Sequence, residues 1–188
     1  MPRIGIVLSP GFQMMSFAAI SAFEVANAAT GEPRYDITVL SERGGPVKST
    51  LGVALETEPF EDPGEFDTII AGGLMVPKPS SEGLIAFLRA AGARCRRVAS
   101  ICTGAFMLAE AGLLSGRRAT THWMFARDLQ ARFPEVKMDE DRIFIIDGPI
   151  WTSAGMTAGI DLALAMIEKD YGADLARVVA QNLVVYHR

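Results

Sequence analysis

Three short runs in this sequence contain no charged side chain: Ile4-Gly5-Ile6-Val7-Leu8, Thr68-Ile69-Ile70-Ala71 and Val98-Ala99-Ser100-Ile101. Each has the length of a buried strand, and each is bounded by turn-formers or by a helix-forming stretch. A strand that is apolar on both faces has to be covered on both, which points to a mostly parallel sheet between helical layers. The intervening sequence supplies those helices. Residues 14–29 are Ala-rich and stop at Thr30-Gly31-Glu32-Pro33, and Ser80 or Ser81 caps a helix running to about residue 93. Further helices are expected over residues 103–111 and 125–133. Apolar residues at 156, 160, 163, 164 and 167 form a helical stripe over 155–170, and Leu175, Val178, Val179, Leu183 and Tyr186 repeat that spacing. Residues 35–41 read as another strand. Hairpins are expected around Thr50-Leu51-Gly52 and Gly148-Pro149, and Thr120 and Thr121 as a short strand. The class is α/β, with one domain over residues 1–188.

Charge narrows the partners. Lys and Arg number 18 against 22 Asp and Glu, a net charge of −4. The basic groups Arg94/Arg96/Arg97 and Arg117/Arg118 are short, so the chain is poorly suited to gripping nucleic acid by its phosphates. No apolar run approaches the ~20 residues that cross a bilayer. Two cysteines, Cys95 and Cys102, form no disulfide framework and suit a reducing compartment, so a cytoplasmic location is expected. No cofactor and no metal site is assigned.

The chemistry gathers where strands end. In a parallel α/β sheet, ligands sit outside the carboxyl ends of the strands. Cys102 stands there, between a strand and a helix, where exposed N–H groups and the helix dipole favour a thiolate. Thr103 supplies an N–H beside the sulfur, half of an oxyanion hole, and Gly73 or Leu74 supplies the other half. His122 follows 20 residues later. The alternative for each is structural: a free cysteine ending a core strand packs as a small hydrophobe, and a histidine beside Trp123 packs and hydrogen-bonds. Cys95, in a helix-to-strand connection, reads as inert.

Taken in order, "SICTGAFMLAEAGLLSGRRATTHW" and "IWTSAGMTAGIDLALAMIEKDYGADLARVVAQNLVV" resemble the ThiJ/PfpI superfamily of class I glutamine amidotransferase-like proteins. Within it the chain looks most like the amino-terminal domain of AraC-type transcription regulators, with isonitrile hydratases as near relatives. The similarity runs from "IGIVLSPGFQ" to "LVVYHR". It implies a flavodoxin-like three-layer sandwich with a nucleophile-elbow cysteine, places the family nucleophile at Cys102 and its histidine at His122, and maps oxyanion donors to Gly73 and Thr103. Thr152, Ser153 and Gly155 would line the same pocket. A helix-turn-helix DNA-binding domain is expected beyond residue 188.

One position departs. Family members with this opening place an acidic residue near the cysteine, where "GFQMMS" puts Ser16. A serine hydrogen-bonds a thiolate but does not exchange a proton near neutral pH. The expectation is therefore a sensor that binds a small metabolite near Cys102, as a homodimer aided by Met14, Met15 and Phe17, with DNA met only through the absent domain. The alternatives are a stand-alone cysteine-dependent lyase or amidase, and a thiol redox sensor.

Overall fold

The computed structural model describes residues 1–185. Strands β1 (Arg3–Val7), β2 (Asp36–Ser41), β4 (Ala54–Pro59), β5 (Thr68–Ala71), β6 (Arg97–Ile101) and β10 (Ile150–Ser153) run parallel in the order β4-β2-β1-β5-β6-β10. Antiparallel strands β3 (Arg43–Lys48) and β9 (Phe144–Asp147) close the two edges. Edge strands need only one covered face, and these carry the charged and glycine-containing sequence. Both expected hairpins are present, as β3–β4 and β9–β10.

Alternate side chains of the central strands enter two separate cores. Ile4, Ile6, Ile70 and Ile101 face one layer of helices, α1 (Phe17–Thr30), α5 (Ala158–Tyr171) and α6 (Ala173–Asn182). Val7, Ile69 and Val98 face the other, built from α2 (Glu82–Arg94), α3 (Gly104–Glu110) and α4 (Trp123–Arg132). The result is the three-layer flavodoxin-like sandwich implied by the resemblance. Among the described residues no helix is long and apolar enough to cross a membrane.

Several local expectations move. The first helix starts at Phe17, after a 3₁₀ turn over Met14–Ser16. Met14 and Phe17 thereby pack against the core, leaving Met15 as the exposed member of the expected dimer patch. Ser81, not Ser80, caps α2, accepting from the Leu84 N–H at 3.2 Å. Thr120 and Thr121 are not a strand: the strand is β7 (Arg118–Ala119), paired in parallel with β8 (Lys137–Met138). Both threonine hydroxyls instead bond to carbonyls, Thr120 to Arg142 at 3.0 Å and Thr121 to Cys102 at 2.9 Å. Helix α4 starts at Trp123 because His122 caps it. Helix α5 starts at Ala158, three residues after Gly155, and α6 ends at Asn182; Tyr186 lies outside the described residues.

The short basic groups are neutralised in place. Arg94 pairs with Asp62, Arg96 with Asp67 and Asp170, Arg97 with Asp170, Arg117 with Asp147 and Arg118 with Asp139. No basic stripe is left by them for a phosphate backbone.

Candidate functional site

Strand β6 ends at Cys102, and the chain turns there on a single residue in the left-handed region, φ +55°. A side chain pays a steric penalty of about 1–2 kcal/mol in that region, which persists only where the surroundings fix it. They do. The Cys102 N–H donates to the Ser153 carbonyl at 3.0 Å, and its carbonyl accepts from the Thr121 hydroxyl. Helix α3 then begins hard against β5: a Cβ at Gly104 would lie 2.4 Å from the Ala71 carbonyl oxygen. Only glycine permits that approach, so the elbow and the end of β5 are locked together.

Cys102 is 4% exposed. Burial raises its pKa, and a hydrogen bond from the Thr103 N–H pulls the other way without cancelling the rise. This corrects the expectation of a thiol acidified by its helix terminus: α3 is short, and desolvation of the anion outweighs one N–H donor. Cys95 is pushed up to about 11, chiefly by burial, and its thiol donates to the Pro63 carbonyl at 3.1 Å.

The oxyanion candidates separate. The Gly73 N–H makes no hydrogen bond among the described residues. Leu74 is engaged: its N–H donates to the Thr103 hydroxyl at 2.8 Å, and that hydroxyl donates to the Leu74 carbonyl at 2.7 Å. Thr103 thus offers its N–H to the sulfur and uses its side chain to hold the neighbouring turn. Gly73 has no room for a side chain, since a Cβ would lie 2.9 Å from Met156 Cε and 3.2 Å from Cys102 Cβ.

Met156 is the functional-site residue that sequence reasoning missed. It was legible only as part of a helical stripe, yet it precedes α5, and its methyl group lies over Gly73 beside the cysteine. Ser16 is fully buried, and its hydroxyl donates to the Met156 sulfur at 3.7 Å. The position where family members carry an acid is therefore occupied by a hydroxyl turned to a thioether.

His122 is half-buried. Its Nδ1 accepts from the Met124 N–H at 3.3 Å, and its ring stacks on Trp123 with centroids 5.7 Å apart. This contact commits Nδ1 to the backbone at the start of α4. Thr152 and Ser153 are buried and turned inward: the Thr152 hydroxyl oxygen accepts from the Thr120 N–H at 2.9 Å, and the Ser153 hydroxyl donates to the Ser100 carbonyl at 3.4 Å. They hold the loop that carries His122 and the strand beside the elbow. Gly155 follows in the turn before α5, with nothing near the place of a Cβ. Among the described residues no cluster of three or more His, Cys, Asp or Glu is placed to hold a metal.

Known proteins resemble this chain in sequence and in fold. The model of the DJ-1/PfpI family matches residues 3–169. The HTH-type transcriptional regulator CdhR of Pseudomonas aeruginosa is 36% identical over 183 residues, covering 95% of this chain and 54% of the regulator. The isonitrile hydratase of Pseudomonas putida is 40% identical over 141 residues, covering 73% of this chain and 60% of the enzyme. The crystal structure of an AraC family transcriptional regulator from Pseudomonas putida superimposes with a TM-score of 0.89 at 24% identity, covering 97% of this chain and 100% of that one. The chain spans about half the length of the regulator CdhR. On the family match and the strand-to-helix cysteine together, the chain belongs to the DJ-1/PfpI family.

Proposed function

We propose that this domain is the ligand-sensing part of an AraC-type transcription regulator, binding a small metabolite beside Cys102 without turning it over. The observation that carries this reading is the pairing of Ser16 with Met156. Among the described residues it puts no carboxylic acid beside the thiol to exchange protons with it, and general acid–base catalysis is worth ~10² to 10⁴-fold. Burial acts in the same direction by holding the thiol protonated. What remains is a free Gly73 N–H and a positioned sulfur, a set that binds a carbonyl or an electrophile. Similarity to the regulator CdhR over 95% of the chain supports the same assignment. DNA contact in such a regulator falls to a helix-turn-helix region outside these 188 residues, and the protein is assigned to the cytoplasm as a homodimer.

A second reading, a cysteine-dependent hydratase, is favoured by the 40% identity to the isonitrile hydratase. One assay separates the two. The chain, Ser16→Asp and Cys102→Ala are compared on an isonitrile and on simple amides. Negligible turnover by the unmodified chain is expected, with a gain in Ser16→Asp. Robust turnover that is lost in Cys102→Ala refutes the sensor and establishes the enzyme.

A further inference from the structure

A cavity of about 500 Å³ opens at the carboxyl ends of β1, β2 and β5, and Cys102 is not among the residues lining it. Its walls include Leu8, Phe60, Leu74, Leu84 and Met107, and its rim includes Glu42, Arg43, Lys78, Ser80 and Ser81. The volume and the apolar lining with a few convergent polar groups are those of small-molecule sites, at the end of the sheet where α/β proteins hold ligands.

The rim is chemically lopsided. Glu42 is committed, because its carboxylate accepts from the Ser81 hydroxyl at 2.5 Å at the start of α2. Among the described residues neither the Arg43 guanidinium nor the Lys78 ammonium has a hydrogen-bond or ion-pair partner. The Ser80 hydroxyl oxygen is buried and also lacks a partner. A buried hydroxyl without a partner calls for an acceptor. Two cations and an unsatisfied hydroxyl around apolar walls match one chemistry, an anionic head on an apolar body.

We propose that this cavity is a second ligand site, separate from the cysteine elbow, which takes a small carboxylate with an apolar body and holds its head at Arg43 and Lys78. The planar guanidinium suits a carboxylate in two-point contact, while Lys78 adds a point charge. The walls discriminate against carboxylates too short to reach them.

The test uses hexanoate, acetate and hexan-1-ol at constant ionic strength, followed by amide NMR of the whole chain. Hexanoate is expected to saturate and to shift the amides of Ser80, Ser81 and Leu84, with acetate and hexan-1-ol binding at least tenfold more weakly. Arg43→Gln with Lys78→Gln should weaken hexanoate about tenfold, the size of two partly screened charge contacts. Both side chains are exposed, so the variant is expected to keep its thermal midpoint. Cys102→Ser should leave hexanoate binding unchanged, which keeps this site distinct from a ligand at the elbow. The proposal is overturned by absent saturation, by equal binding of hexan-1-ol, by unchanged hexanoate affinity in the double variant, or by loss of binding in Cys102→Ser.

Discussion

Removing the carboxylate of Asp170 should be among the most damaging single changes in the domain, although it lies far from the elbow in the fold. Asp170, near the end of α5, accepts from Arg97 at 2.6 Å, from Arg96 at 2.8 Å and from the Tyr35 hydroxyl at 3.1 Å. The Arg97 and Asp170 side chains are 4% and 3% exposed. Arg97 stands at the opposite end of β6 from Cys102, so the cluster ties α5 to the amino-terminal ends of the central strands. Breaking a buried pair leaves an unmatched charge and costs about 3–5 kcal/mol. What Arg97 keeps is weaker: a long contact to the Asp67 carboxylate at 3.4 Å and the Thr68 hydroxyl, which accepts from its Nε at 3.0 Å, while its Nη1 has no partner among the described residues. Asp170→Ala should therefore lose about 3–5 kcal/mol, roughly 6–20 °C in thermal midpoint for a domain of this size. Tyr35→Phe, which removes one hydrogen bond to the same carboxylate, should lose about 1.5–3 kcal/mol. Replacing both charges together, as Arg97→Met with Asp170→Leu, should recover much of the loss, since a packed apolar pair is often as stable as a buried ion pair. Denaturant titration monitored by circular dichroism measures all three. A loss below about 1 kcal/mol in Asp170→Ala would refute the reasoning, because it requires Arg97 to find water at no cost.

Alkylation with iodoacetamide and mass spectrometry should label Cys102 slowly at neutral pH, faster than Cys95, and at a rate still climbing above pH 9, because burial raises both thiols. Met156→Ala should speed Cys102 labelling severalfold, and an unchanged rate would show that the thioether does not cover the site. Cys95, raised from 9.0 to about 11 on folding, favours the folded state in its protonated form. Its contribution is fully present below pH 9 and is lost as pH rises from 9 to 11, up to about 2–3 kcal/mol; Cys95→Ala should flatten the stability profile across that window. Cys102→Gly should be more stable than Cys102→Ala by about 1 kcal/mol, since only glycine occupies φ +55° without strain, and denaturation midpoints in the reverse order would contradict the elbow geometry.

How much of this was legible in the sequence follows from what each feature depends on. Strands β1, β5 and β6 were readable because continuous apolar runs have few other uses in a polar chain. The elbow was readable because a strand-ending thiol followed by a helix former has few geometries. Thr120 and Thr121 misled because β-branched residues favour strands, while here their hydroxyls capture carbonyls from neighbouring loops. The direction of the Cys102 shift was also out of reach. The sequence exposes the N–H donors, but burial depends on packing of the core around Cys102, which brings Met156, 54 residues on from the cysteine, over the adjacent Gly73. The Arg97–Asp170 pair is likewise invisible, because two residues 73 apart carry no periodic signal.

The elbow is rigid, and what is soft beside it bears on the sensor proposed above. The backbone is held from every side: the Cys102 N–H by Ser153, its carbonyl by Thr121, and the following residue by two bonds between the Thr103 hydroxyl and Leu74. A residue in a strained conformation with this many buried bonds does not move without leaving a donor or acceptor unmatched, at about 1–3 kcal/mol for each. The adaptable component is Met156, whose unbranched thioether has three rotatable bonds and one weak hydrogen bond from Ser16. A ligand that enters beside Gly73 would meet the Met156 methyl group first, against a fixed scaffold. Because Met156 lies just before α5, a shift of its side chain would bear on a helix packed on α1 and α6. Leu74 adds a second route: it lines the cavity bounded by Arg43 and Lys78, and its N–H and carbonyl are both bound to the residue after the cysteine. Occupancy of either proposed site would thus act on the same few atoms, a rigid elbow with one soft side chain, and through them on the helices packed around it.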